Sequence, residues 1–246
     1  MTTCTRFSKG AARAAALTLG LALLGGCATG PDVHPADPFE PYNRSMTRFN
    51  DNVDKVVLKP VATLYQDATP QPVRTGVGNF FANLGDAWSL VNNLLQLRGR
   101  EAYDSLVRLS VNTVLGLGGL LDIASEMGVE RHKQDFGLTL GHWGVPTGPY
   151  LVLPLLGPST VRDTAALPAD LFVGDAVGYV NDVPWRNSLY ALRFVDRRAS
   201  LLRATSLLDE AALDPYSFTR DVYLKLRAGG TAEGQDEEGG KLPEDY

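Results

Sequence analysis

Cysteine is nearly missing from this chain. Of 246 residues only Cys4 and Cys27 carry a thiol, and both lie near the N-terminus. Nothing further along can form a disulfide, supply a cysteine nucleophile or build a cysteine metal site. A long hydrophobic run is missing too. Residues 150–156 (YLVLPLL) are apolar without a period, but seven residues fall far short of the roughly twenty that a membrane-crossing helix needs. Clustered positive charge is also lacking. There are 23 Lys and Arg against 28 Asp and Glu, a formal charge of −5, with no basic cluster beyond Arg197-Arg198. That balance argues against nucleic acid as a partner, because phosphate binding requires grouped Lys and Arg. No internal repeat stands out, and no segment reads as a convincing strand.

The N-terminus carries an address. Arg6, Lys9 and Arg13 precede a short apolar stretch over residues 14–24, and Leu24-Gly25-Gly26-Cys27 follows. Positive residues, a short apolar run and small residues before a cleavage point mark a secretory leader. The Cys directly after it resembles a bacterial lipobox, with Cys27 as the acylated first residue of the mature chain; the alternative is a plain secretory leader with an incidental Cys. Each buried acyl CH₂ adds about 0.8 kcal/mol of membrane affinity, so several chains anchor a protein stably. Loss of residues 1–26 removes three basic residues and no acidic one, leaving 20 against 28, or −8. Residues 27–36 read as a tether. Ala28 after the Cys, where sorting to the inner membrane would want Asp, implies the outer membrane within the lipoprotein scheme.

From residue 37 onwards, apolar residues recur at helical spacing. Met46, Phe49, Val53 and Val56 predict a short amphipathic helix, ended by Lys59-Pro60. Residues 79–97 predict a longer one. Phe80, Phe81, Leu84, Trp88, Val91, Leu94 and Leu95 share one face, and Asn79, Asn83, Asp86, Ser89, Asn93 and Gln96 lie opposite. That second face is mostly amide and hydroxyl. It fits either an under-charged surface or the wall of a wet channel. Residues 101–114 repeat the pattern, with Tyr103, Leu106, Val107, Val111 and Val114 opposite Glu101, Asp104, Ser105, Arg108 and Asn112. Helices are also expected over 120–127, 167–179, 187–213 and 216–227, the last begun by Asp214-Pro215. Residues 229–246 are Gly-rich and acidic and predict a disordered tail.

Residues 136–163 (FGLTLGHWGVPTGPYLVLPLLGPSTVRD) organise the rest. Repeated Gly and Pro forbid one continuous helix. The apolar residues Tyr150, Leu151, Leu153 and Leu155 in its middle suit either a core or a membrane-facing surface. Ser159 after Pro158 suits a helix N-cap.

Chemical motifs are weak. Gly116-x-Gly118-Gly119 lacks the Lys-Ser/Thr of a phosphate loop. His132, Asp135 and His142 match no usual metal spacing. Ser159 lacks the Gly-x-Ser-x-Gly setting of a hydrolase nucleophile, although His142 and Asp163 lie in the same region. No cofactor is expected.

Several stretches resemble the MlaA, or VacJ, family of Gram-negative outer-membrane lipoproteins. They are Asp37-Pro38-Phe39-Glu40-Pro41-Tyr42-Asn43-Arg44, Asn92-Asn93-Leu94-Leu95-Gln96, Arg108-x₃-Asn112-x₃-Gly116, and Phe136-Gly137 through Gly141, Trp143, Gly144 and Gly148-Pro149-Tyr150 to Arg162-Asp163. The similarity runs from about residue 37 to 223, within a domain placed at 37–228. It implies an all-α, ring-like assembly of amphipathic helices embedded in one leaflet of the outer membrane, facing the periplasm, with Gly/Pro-rich irregular segments. It implies removal of phospholipid from the outer leaflet, transfer to a soluble periplasmic carrier (MlaC), association with a trimeric porin, and no enzyme activity. On that reading Asn79, Asn83, Asn93 and Gln96 are candidate channel-lining residues, and Tyr42-Asn43 is a candidate for setting a closed state. A porin-bracing lipoprotein and a phospholipid hydrolase using Ser159 are the alternatives.

Overall fold

The computed structural model describes residues 34–229. Cys27, the leader and the acidic tail beyond Gly229 lie outside the described residues. Nine α-helices and one two-stranded hairpin make up the described part. They are α1 (Glu40–Val53), α2 (Lys59–Ala68), α3 (Gln71–Leu95), α4 (Gly99–Val114), α5 (Ile123–Glu126), α6 (Phe136–His142), β1 (Tyr150–Leu153), β2 (Gly157–Thr160), α7 (Val161–Phe172), α8 (Val183–Ala211) and α9 (Pro215–Gly229).

Pro60 does not end the first helix. A π-helical turn, Asp54–Leu58, joins α1 to α2, and the Lys59 amide reaches back to the Asp54 carbonyl. Proline lacks an N–H and its ring crowds the carbonyl four residues earlier, here that of Val56; the wider π turn makes room for it. Arg198 of α8 grips Asp54 with Nε at 2.6 Å and Nη2 at 2.7 Å. α2 packs along α8, and α3 lies alongside α4.

The hairpin corrects the expectation of no strands. β1 and β2 pair antiparallel, with Tyr150 opposite Thr160 and Leu153 opposite Gly157. The turn is Pro154-Leu155-Leu156, with Leu155 at φ 61° and Gly157 at φ 83°. A three-residue loop followed by a glycine at positive φ is a common hairpin closure. The outer edge of β1 has no third strand. Two asparagines of α1 replace it. Asn43 Nδ2 donates to the Tyr150 carbonyl at 3.0 Å and its Oδ1 accepts from the Val152 amide at 2.8 Å. Asn50 does the same for the Leu153 carbonyl at 2.9 Å and the Leu155 amide at 2.8 Å. The match is geometric: two helical turns advance about 10.5 Å, and three strand residues advance about 10 Å.

The small apolar core sits here. Tyr150, Val152 and Tyr216 are buried, and Met46, Tyr223 and Leu224 pack against them. Tyr150 is 1 % exposed, so it belongs to the core and is not membrane-facing as expected: its ring is enclosed by Tyr216 and Tyr223, each with centroids 6.2 Å away. Leu151 and Leu153 are half-buried, and Leu155 at the turn is exposed. The α7 cap is Thr160, whose Oγ1 accepts from the Asp163 amide at 3.1 Å; Ser159 lies one residue earlier, in β2. α7 stops at Phe172, so the single helix expected over 167–179 is broken.

Candidate functional site

The α3–α4 pair inverts the usual order of a protein in water. Asn83, Asp86, Ser89, Asn92 and Asn93 of α3 and Gln96 at its C-cap are buried, as are Ser105, Arg108 and Asn112 of α4. The apolar sides point outward: Val91, Leu94, Leu95 and Leu97 beside Tyr103, Leu106 and Val114 are all exposed. Buried polar groups and exposed large apolar patches are the informative departures from ordinary burial. Burying a Leu or Val in full is worth about 1.5–3 kcal/mol, so the six Leu and Val among these side chains, left in water, would forgo a large stabilisation.

Inside the pair the polar groups hold one another. Asn93 Nδ2 donates to Ser105 Oγ at 3.2 Å, and Gln96 Nε2 donates to Thr139 Oγ1 at 2.9 Å and Gln134 Oε1 at 3.0 Å. Thr139 in turn donates to Asn92 Oδ1 at 2.7 Å. Asn83 Nδ2 donates to Thr113 Oγ1 at 3.0 Å. Of the four expected channel-lining residues, then, Asn83, Asn93 and Gln96 are buried in a polar seam, each donating through its amide nitrogen while its amide oxygen has no partner among the described residues. Asn79 is half-buried, with Nδ2 on the Leu120 carbonyl at 3.2 Å.

An ionic cluster lies within the seam, between the Asn93–Ser105 and Asn83–Thr113 contacts. Arg108, 1 % exposed, holds Asp122 with Nη2 at 2.8 and 2.9 Å and the Val129 carbonyl with Nη1 at 2.6 Å. Its Nε lies 3.4 Å from Asp86, whose other oxygen is 3.1 Å from Arg131 Nε. Burial pushes the Asp86 carboxyl up, against the pull of Arg131 and Arg108. Burial also raises Asp122, but hydrogen bonds from Ser125 and Asn112 and the Arg108 charge outweigh it and hold that carboxyl at about 2.

The motif residues fall at junctions. Asn43 is fully buried and donates to Asp37 Oδ1 at 2.8 Å, while Tyr42 beside it is exposed. Gly141 is buried in α6; Gly144, at φ 85°, turns the chain after it. Arg162 and Asp163 are buried and bonded to each other, Nε to Oδ1 at 3.0 Å. Asp163 also accepts from Arg227 Nε at 2.7 Å and Tyr223 at 3.2 Å. Sequence reasoning missed Asp37, Asn50, Tyr216 and Arg227 as fastening points. Tyr216 donates to Asp37 Oδ2 at 2.5 Å, and Arg227 bridges Asp163 and Asp135. Their partners are more than ninety residues away in the chain for each of these bonds except Arg227–Asp163, so no local spacing signals them.

Ser159 is buried, with its hydroxyl 2.9 Å from Thr164 Oγ1 and 3.3 Å from the Thr160 carbonyl. With Asp163 taken by Arg162 and Arg227, the structure does not assemble a nucleophile–base pair from Ser159, His142 and Asp163. His132 pairs with Asp104 at 3.0 Å. Among the described residues no group of three or more His, Cys, Asp or Glu is placed to hold a metal, and no helix is long and apolar enough to cross a membrane.

Residues 35–229 match the family described as MlaA lipoprotein. The intermembrane phospholipid transport system lipoprotein MlaA of Escherichia coli (strain K12) is 38% identical over 221 residues, covering 87% of this chain and 86% of that protein. The protein of the same name from Haemophilus influenzae is 34% identical over 236 residues, covering 90% and 92%. A solved structure, described as the structural basis for maintenance of bacterial outer membrane lipid asymmetry, aligns with a TM-score of 0.68 at 35% identity. It covers 79% of this chain and 98% of that one.

Proposed function

The chain belongs to the MlaA lipoprotein family, and on that premise we propose that it maintains outer-membrane lipid asymmetry by removing phospholipid from the outer leaflet and passing it towards the inner membrane. The observation that carries this reading is the inverted α3–α4 pair. A polar interior flanked by exposed Leu, Val and Tyr suits immersion in a lipid leaflet, where apolar side chains are solvated and polar ones must find internal partners. Cys27 supplies the anchor. Nine residues lie between it and buried Asp37, a reach of at most about 35 Å, which keeps the helices against the membrane surface.

The reading is one of transport, without bond-making chemistry. Its partners are phospholipid, a trimeric porin beside it in the outer membrane, and a soluble periplasmic carrier of the MlaC kind. The protein sits on the periplasmic side of that membrane as a ring of helices in the inner leaflet. Asn79, Asn83, Asn93 and Gln96 are the candidate headgroup contacts, and the amide oxygens of the last three are left without a protein partner among the described residues. The exposed Tyr42 and the hairpin tip at Leu155 are candidate leaflet contacts.

Native mass spectrometry with lipid extraction tests this on acylated protein released gently from outer membranes. Phospholipid co-purifying with the chain is the expected result. Porin without phospholipid would favour a bracing role, and lyso-lipid accumulating with time would favour a hydrolase.

A further inference from the structure

Trp143 is conspicuous because it is 59 % exposed and yet its indole N–H is committed, donating to the Leu95 carbonyl at 3.1 Å. Leu95 is the last residue of α3. The final four carbonyls of a helix have no partner within it, and on a wet surface water serves them. Here protein groups serve all four. Asn92 accepts from the Gln96 amide, Asn93 from Arg98 and Leu94 from Leu97, each at 3.0 Å, and Trp143 takes the fourth. A second exposed aromatic acts in the same way. Tyr179, 66 % exposed, donates its hydroxyl at 3.1 Å to the carbonyl of Val173, the residue that follows α7.

Exposed apolar side chains flank both caps. Leu94, Leu95 and Leu97 are exposed at the first, and Leu171, Phe172 and Val173 at the second. The nearby acids turn inward, Asp170 to Trp88 and Asp175 to Arg193. The two patches adjoin through Trp88 of α3, whose ring lies against Gly174. An aromatic ring with a polar tip is suited to the boundary between headgroups and acyl chains. Backbone carbonyls at that depth need a protein donor, because hydrocarbon offers none.

We infer that Trp143 and Tyr179 are membrane-interface residues that seal the carbonyl ends of α3 and α7 against the lipid leaflet. The inference rests on the leaflet reading of the α3–α4 pair, and it gives Trp143 a role that its place in the sequence motif does not.

The test uses full-length acylated protein in vesicles of phosphatidylethanolamine and phosphatidylglycerol. Tyr179→Phe keeps its ring and deletes the donor, and benzothienylalanine at position 143, in which sulfur replaces the indole N–H, does the same for Trp143. A carbonyl facing water would take a water molecule in exchange and leave Tm unchanged, which would overturn the inference. A carbonyl facing lipid has no substitute, and Tm falls by about 5 °C. Quenching of Trp143 fluorescence by nitroxide phospholipids gives a second readout, taken as the difference between a chain carrying Trp185→Phe and the same chain also carrying Trp143→Phe, because Trp88 emits in both. Stronger quenching from labels near the headgroup than from labels deep in the acyl chain is expected, and absence of quenching contradicts the inference. A nitroxide on Leu94→Cys separates the two levels of the account. If it meets oxygen in the bilayer while both caps prove dispensable, the inference fails and the leaflet reading stands. If it meets only a water-soluble relaxant, both fail.

Discussion

Trp88 donates its indole N–H to Oδ1 of Asp170 at 2.8 Å, tying the middle of α3 to the end of α7. The same oxygen accepts from the Phe136 amide at 2.9 Å. One carboxylate thus joins three segments, and it does so while half-buried. Burial pushes the Asp170 carboxyl above its ordinary value, despite these two donors.

The sign of the resulting pH dependence follows from that direction. A carboxyl whose folded pKa is raised binds its proton more tightly in the native state, so its burial penalty is absent below the unfolded value of about 3.9 and grows as pH rises through the folded value. Asp170→Asn keeps an oxygen acceptor without the charge. The variant should be more stable than the parent at pH 7, and the difference should vanish near pH 4. Thermal unfolding of both proteins across that range measures it.

Gly174 belongs to the same junction. A Cβ there would stand 2.4 Å from Cε2 of Trp88. Gly174→Ala must therefore push the indole off Asp170, at a cost of about 1–3 kcal/mol. A Tm loss should be accompanied by a change in Trp88 emission, followed in a chain carrying Trp143→Phe and Trp185→Phe.

Arg108 is the buried centre of its ion cluster. Arg108→Met leaves Asp86 and Asp122 with Arg131 alone, and an uncompensated buried charge costs about 3–5 kcal/mol. Arg108→Lys keeps the charge but cannot span Asp122, Asp86 and the Val129 carbonyl together. Both variants should unfold earlier in a denaturant titration, Met more than Lys.

Asn43 and Asn50 can be told apart by hydrogen exchange. Asn43→Ala should speed exchange at the Val152 amide, and Asn50→Ala at the Leu155 amide, since each asparagine holds that one donor. Unaltered exchange at both positions would show that the strand edge is protected in some other way.

How far the sequence revealed this arrangement depends on the range of the interaction. Local signals served well where Asp214-Pro215 opens α9 and where the two faces of residues 79–97 and 101–114 separate as expected, but α3 begins at Gln71, eight residues before the expected start. Their direction was not legible. Periodicity shows that a helix has two faces, but it does not show which solvent each one meets, and here the amide face turns inward to Ser105 and Thr139. Pro60 misled because a neighbouring π turn absorbs its crowding. The hairpin carries Pro154 in its turn and Pro158 in β2, its strands lack an alternating pattern, and their edge partner is a pair of helix side chains. Whether Tyr150 faces a core or a membrane was undecided for the same reason: the rings that enclose it come from α9.

The central claim is that this chain keeps phospholipid out of the outer leaflet. The direct measurement is the amount of phosphatidylethanolamine that a membrane-impermeant amine reagent labels on intact cells. The cells compared lack the protein, or carry the wild-type chain or one with Cys27→Ala. Labelling should rise when the protein is absent, fall to the original level with the wild-type chain, and stay high with Cys27→Ala. Equal labelling in cells with and without the protein would contradict the account.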